Sequence, residues 1–147
     1  MDFIFGKTAE IDIKLNETTG KRQVTNVTHI SAETNEPISA PLYYDGETVA
    51  GKVCINLKKP KLEHKGIHIE IIGLIELFGD RSNQYEFLSK GEILSGPDII
   101  TARQEEFPFE FKFVNKPYES YSGVNAKCKY FLRVRIVKLV NFLINMN

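Results

Sequence analysis

Gly66-Ile67-His68-Ile69-Glu70-Ile71-Ile72-Gly73-Leu74-Ile75-Glu76-Leu77-Phe78 decides the fold. Read in steps of two, Ile67, Ile69, Ile71, Ile75 and Leu77 fall on one side, and His68, Glu70, Glu76 and Phe78 on the other. That period belongs to a β-strand with one oily face, because successive side chains of an extended chain point to opposite faces. Gly79-Asp80-Arg81-Ser82-Asn83 then supplies turn chemistry, and Tyr85-Glu86-Phe87-Leu88 begins a return strand.

The same alternation spreads outward in both directions. Ala9 to Leu15 sets Ile11, Ile13 and Leu15 against Glu10, Asp12 and Lys14, which are expected to face solvent. Val24, Val27 and Ile30 suggest one ragged strand in a polar stretch. Leu42-Tyr43-Tyr44 runs into Asp45-Gly46, a two-residue hairpin signal, with a return strand from Thr48 to Leu57 carrying Val49, Gly51, Val53, Ile55 and Leu57 on one side. Phe107, Phe109, Phe111 and Phe113 predict a strand with four aromatics on one face, and Pro108, which cannot donate to a ladder, makes that strand start late or lie at an edge. Cys128, Tyr130, Leu132, Val134 and Ile136 alternate with Lys127, Lys129, Arg133 and Arg135. Seven or eight strands with turn clusters between them make an all-β, antiparallel β-sandwich.

Composition bounds the function. The 147 residues are 42% apolar and 26% charged, with 19 basic and 19 acidic side chains. One domain of this size buries roughly 70% of its unfolded surface, and its balanced charge argues against a nucleic-acid clamp. No apolar run reaches the roughly 20 residues a membrane span needs. Met1-Asp2-Phe3-Ile4-Phe5-Gly6 lacks the basic flank and apolar stretch of a signal peptide, so a cytoplasmic chain is expected. Cys54 and Cys128 lie in strands and read as small packing residues. The balance hides a gradient: residues 1–115 hold 13 basic and 18 acidic side chains, residues 116–147 six and one. Such an asymmetry points to a solvated face, to internal pairing with the acidic part, or to an acidic partner.

Catalytic chemistry finds few candidates. His64 and His68 are four apart, but Gly66 stands between them and a strand begins at Ile67, so their rings would not converge on a metal. No nucleophile elbow, phosphate loop or Cys-Xaa-Xaa-Cys is present. Lys58-Lys59-Pro60-Lys61, diluted by Glu63, reads as a solvated loop. No enzyme activity, cofactor or metal is expected, and a lectin-like or hydrolytic sandwich ranks last because the acids alternate outward and do not cluster.

Three segments carry a resemblance. They are Leu42-Tyr43-Tyr44-Asp45-Gly46-Glu47-Thr48-Val49-Ala50-Gly51-Lys52-Val53; then Leu62-Glu63-His64-Lys65-Gly66-Ile67-His68-Ile69-Glu70 running on to Asn83; then Phe107 to Phe113 with Lys116-Pro117-Tyr118-Glu119-Ser120-Tyr121, Gly123, Asn125 and Tyr130-Phe131-Leu132-Arg133-Val134. In this order they resemble the vacuolar protein sorting-associated protein 26 family, the arrestin-like subunit of retromer, over about residues 3–138. The resemblance implies the N-terminal lobe of an arrestin-like, immunoglobulin-like pair of sandwiches. It also implies a non-enzymatic subunit of a coat that sorts membrane proteins in endosome-to-Golgi and recycling transport, peripheral on endosomes. The partners implied are the α-solenoid subunit of retromer, sorting nexins and the cytosolic tails of transmembrane cargo, with no nucleic acid.

Family chains are about twice this length. Residues 1–138 are read as the lobe, and residues 139–147 as a divergent apolar tail standing where the hinge and second lobe would follow. The tail, with Phe142, Leu143 and Ile144 at its centre, is expected to complete a sheet edge or to mediate self-association. Lys127, Lys129, Arg133 and Arg135 are expected to form an exposed row facing an acidic partner or an anionic membrane. Tyr118 and Tyr121 read first as corner tyrosines bonded to backbone and second as contact residues on a loop. A stand-alone domain that binds peptides by strand addition at an open edge is the alternative function.

Overall fold

The computed structural model describes residues 2–5, 8–30, 35–78, 83–137 and 141–146, and every regular element among them is a strand. In chain order these are β1 (Asp2–Phe5), β2 (Ala9–Leu15), β3 (Thr18–Thr19), β4 (Arg22–Gln23), β5 (Asn26–Ile30), β6 (Pro37–Pro41), β7 (Val49–Leu57) and β8 (Leu62–His64). They continue as β9 (Ile67–Leu77), β10 (Asn83–Ser95), β11 (Asp98–Ile100), β12 (Gln104–Phe111), β13 (Tyr121–Ser122), β14 (Ala126–Ile136) and β15 (Asn141–Met146). One sheet has the order β1-β2-β7-β12; the other runs β10-β9-β14, with β13 and β15 both on the far side of β14. All pairings are antiparallel. Short ladders β3–β4, β5–β6 and β8–β11 decorate the sandwich.

The oily rows meet between the two sheets. Ile11, Val53 and Ile55 from one and Ile67, Ile69, Ile71, Leu132, Val134 and Ile136 from the other are fully buried in one cluster. Each such side chain contributes on the order of 1.5–3 kcal/mol. β14 lies between β9 and β15, with Leu132 opposite Ile71 on one side and opposite Ile144 on the other. The tail segment therefore completes a sheet edge, pairing from Arg135↔Asn141 to Tyr130↔Met146. The turn read at residues 79–82 lies outside the described residues, but the hairpin it joins is present as β9 and β10.

Four expectations are corrected. Asp45-Gly46 does form a turn, closed by the Glu47 N–H donating to the Tyr44 carbonyl at 3.1 Å, but it joins no hairpin. Only Gly46 has positive φ (84°), whereas the type I′ turn favoured in such hairpins needs it at both central residues. The chain consequently leaves β6, which pairs β5, and enters β7, which pairs β2 and β12. Phe113 is not on the aromatic row. β12 ends at Phe111; Phe113 takes φ 51° and is 74% exposed, and Val114 goes into the core in its place. The Val114 backbone is held there by hydrogen bonds with Gly46 and Glu47. Asp12 keeps its outward parity yet is only 8% exposed, because it lies mid-sheet opposite Cys54 on one side and Asp2 on the other. Leu77 is 50% exposed, because it ends β9 beyond the buried part of that strand's inner row.

Candidate docking cleft

Two loop segments build the cleft. The first, residues 42–47, is clamped by Arg22 on β4. Arg22 Nε and Nη2 donate to the two carboxylate oxygens of Glu47 at 2.8 and 2.7 Å, Nη2 also reaches the Leu42 carbonyl, and the guanidinium sits 4.9 Å from the Tyr44 ring centre. Glu47 in turn accepts the Tyr44 N–H at 2.7 Å. The pair is half-buried, where a charge-assisted, two-pronged contact is stronger than an exposed one. The Arg22 hydrogen bonds hold the Glu47 carboxyl below the usual carboxylate range, and Glu47 raises Arg22 in return.

The second segment, residues 116–122, is tied to the first and to β14. The Lys116 N–H donates to Asp45 Oδ1 at 2.7 Å, and Lys116 Nζ donates to the Tyr43 carbonyl at 2.6 Å while resting 4.7 Å from the Tyr130 ring centre. Burial lowers the Lys116 ammonium. Tyr130, fully buried, donates its hydroxyl to the Tyr118 carbonyl at 2.6 Å. Phe87 packs edge-on against both Tyr118 and Tyr130, with centroids 5.0 and 5.4 Å away. Burial pushes the Tyr43 and Tyr130 hydroxyls up to about 12.

Between these segments lies a cleft of about 820 Å³. Val27, Ile30 and Ala40 of the β5–β6 ribbon form one wall, Tyr44 and Asp45 its rim, Tyr118 to Ser122 the opposite wall, and Cys128 with Lys127 and Lys129 the floor. A recess of about 440 Å³ continues past Tyr118 and Tyr121 to Ile75 and Ala126. Tyr44, Tyr118 and Tyr121 are each at least half exposed. Their rings are thus available to a partner, and two of them are held in place by Arg22 and Phe87.

The predicted site residues divide. Tyr118, Tyr121, Lys127 and Lys129 line the cleft; Arg133 and Arg135 do not. Neither Tyr118 nor Tyr121 is the corner tyrosine, because the residue that bonds backbone from the core is Tyr130. The basic row is not a free cationic surface. Arg133 stands opposite Glu70 and bonds it at 2.7 Å, and Lys129 reaches Glu76 at 2.9 Å, since β9 presents its acids on the same face as β14 presents its bases. Arg135 is exposed opposite His68, and Lys127 is half-buried opposite Glu76. Phe142, Leu143 and Ile144 lie in β15, and only their backbone placement is described. His64 is 2% exposed with neither ring nitrogen hydrogen-bonded. Burial raises both cysteine thiols, Cys128 with partial opposition from Lys116. Among the described residues no group of three or more His, Cys, Asp or Glu could hold a metal, and no helix is long and apolar enough to cross a membrane.

The clamp has a pH signature. Because the folded state depresses the Glu47 carboxyl, its stabilisation is complete above the ordinary glutamate value near 4.5 and is lost as pH falls through the lower folded value. Glu47→Gln should cost about 1.5–3 kcal/mol at neutral pH, read as a lower urea midpoint, and should flatten the acid limb of the stability curve. Parallel curves for the two proteins down through that limb would show that the pair contributes nothing.

A two-layer antiparallel sandwich with this strand order, closed at one end by tethered loops, is an arrestin-like lobe. The sporulation control protein Spo0M of Bacillus subtilis has a similar fold, with a TM-score of 0.57 at 14% identity over 95% of this chain and 48% of its own. The profile described as Vacuolar protein sorting-associated protein 26 matches residues 5–146, and the chain belongs to that family. It is 48% identical over 141 residues to vacuolar protein sorting-associated protein 26B of Danio rerio, and 46% identical to those of Mus musculus and Homo sapiens. Each match covers 95% of this chain but only 40–41% of the relative, so the chain spans about two fifths of their length.

Proposed function

We propose that this chain is an arrestin-like docking lobe of the retromer sorting coat. It acts through protein–protein contacts, without catalysis, in endosome-to-Golgi and recycling transport of membrane proteins, and is cytoplasmic and peripheral on endosomes. Its partners are the retromer α-solenoid subunit, sorting nexins and the cytosolic tails of transmembrane cargo. The observation that carries this reading is the tyrosine-rimmed cleft, in which Tyr44 and Tyr118 are fixed before any partner arrives. Preorganised aromatic surface of this kind is what binding hot spots are made of, since little side-chain freedom remains to be lost.

The test uses the purified chain with purified solenoid subunit and purified sorting nexin, by calorimetry. Wild type should bind at least one of them, and Tyr44→Ser/Tyr121→Ser should weaken that binding by about tenfold or more, the effect of removing more than about 1.4 kcal/mol. Both rings are more than half exposed and neither belongs to the buried core cluster of the described residues, so the fold should survive. Absence of binding to either protein by wild type would overturn the reading, as would equal binding by the double variant.

A further inference from the structure

Tyr121 and Gly123 are two apart on an extended chain, so their substituents fall on the same side. The Tyr121 ring uses that relation, lying back over its own backbone to cover Gly123. A Cβ placed on Gly123 would run into the Tyr121 hydroxyl and lie 2.8 Å from both Cε1 and Cζ of the ring. No backbone requirement puts glycine there, since the described glycines with positive φ are Gly20, Gly46 and Gly66. The turn itself is tied down. The Gly123 N–H donates to the Ala126 carbonyl at 2.9 Å, and the Asn125 carbonyl accepts the Phe78 N–H at 2.8 Å. The same device recurs in β9: a Cβ on Gly73 would lie 2.6 Å from Cε2 and Cζ of Phe87, the ring that braces Tyr118. Both tyrosines of this wall thus rest on glycine, Tyr121 directly and Tyr118 through Phe87.

We propose that Gly123 is a positioning residue of the docking cleft: by carrying no side chain it holds the Tyr121 ring against the β13–β14 turn, where the ring lines both the cleft and its recess. The proposal rests on the reading of the cleft as the docking surface. Any other residue at 123 would put a Cβ where the ring now lies. The ring, 61% exposed, is the part that gives, because the turn beneath it is hydrogen-bonded and the space beside it is open. A tyrosine without this support samples several rotamers in the free chain and has to be frozen by its partner. Holding the ring beforehand removes that cost from binding.

Nuclear magnetic resonance of the full chain alone tests this first. In wild type the Gly123 Cα protons should show Overhauser contacts to the Tyr121 ring and a ring-current displacement that Tyr121→Ser removes. Gly123→Ala should keep the circular dichroism spectrum and melt no lower than wild type, because alanine suits an ordinary φ and narrows the unfolded ensemble, yet it should lose those ring contacts. Its binding to the purified solenoid subunit or sorting nexin should weaken by about threefold to tenfold, the effect of freezing one loosened side chain. Absence of the ring contacts in wild type would overturn the proposal. So would undiminished binding by Gly123→Ala, or a Gly123→Ala protein that melts well below wild type, which would show that the glycine serves the turn and not the ring. If wild type binds neither protein, the docking reading has failed on its own account. The ring contacts then decide the positioning role: present in wild type and lost in Gly123→Ala they support it, and unchanged by the substitution they refute it.

Discussion

Gly51→Ala should remove a large part of the lobe's stability and lower its urea midpoint sharply. Gly51 is mid-strand in β7, opposite Leu15 on β2 and Phe109 on β12. A Cβ there would collide with the Lys14 carbonyl oxygen and lie 2.9 Å from the Leu15 Cα. Both obstacles are backbone, so no side chain can rotate away; β2 would have to move off β7, and the Ile11 and Ile13 row would move with it. A cost above about 4 kcal/mol is expected, against a total stability of about 5–15 kcal/mol for domains of this kind. Far-UV circular dichroism and a urea titration measure it. Gly91→Ala is the control, because its methyl group would meet nothing closer than 3.7 Å. A Gly51→Ala protein that melts with the control would show that β2 yields at little cost.

Tyr130 carries the second large effect. It is fully buried, its hydroxyl holds the Tyr118 backbone, and its ring meets Phe87 and Lys116. Tyr130→Ala should cost about 3–5 kcal/mol, the usual range for deleting a buried aromatic ring. Tyr130→Phe should cost about 1 kcal/mol, and its consequence is more specific: the 116–122 wall loses its anchor while the core stays filled. Partner binding at the cleft should therefore fall in Tyr130→Phe by more than its melting temperature suggests. A Phe variant with wild-type binding would show that Lys116 and Phe87 position the wall unaided.

Much of this architecture is legible in the sequence because burial on one face imprints a period of two. Ile67, Ile69 and Ile71, and Leu132, Val134 and Ile136, are buried as that period demands. What alternation does not encode is which strand lies beside which. The acids of β9 and the bases of β14 were both correctly outward, but only their register, Glu70 opposite Arg133, turns two solvated rows into ion pairs. The cleft was harder to foresee. Its rim depends on Arg22 meeting Glu47 across 25 residues and on Lys116 meeting Tyr43 across 73. No local pattern announces either contact. The motif Lys116-Pro117-Tyr118 pointed to the right loop, while its anchor, Tyr130, looked like one more core residue of a strand. Phe113 shows the opposite failure: the alternation continues in the sequence past the point where a left-handed backbone turn ends the strand.

The central place of β14 has a kinetic consequence. Its partner β9 precedes it by some sixty residues, with Val134 opposite Ile69 and Ala126 opposite Leu77. During synthesis β9 and β10 can close their hairpin early, but the far edge of β9 and its isoleucine row wait uncovered until β14 has been made. Long-range pairing of this sort folds slowly, on a scale of about milliseconds to seconds. The nascent lobe passes through a half-built sheet whose unpaired edge and apolar row are open to aggregation until β14 docks.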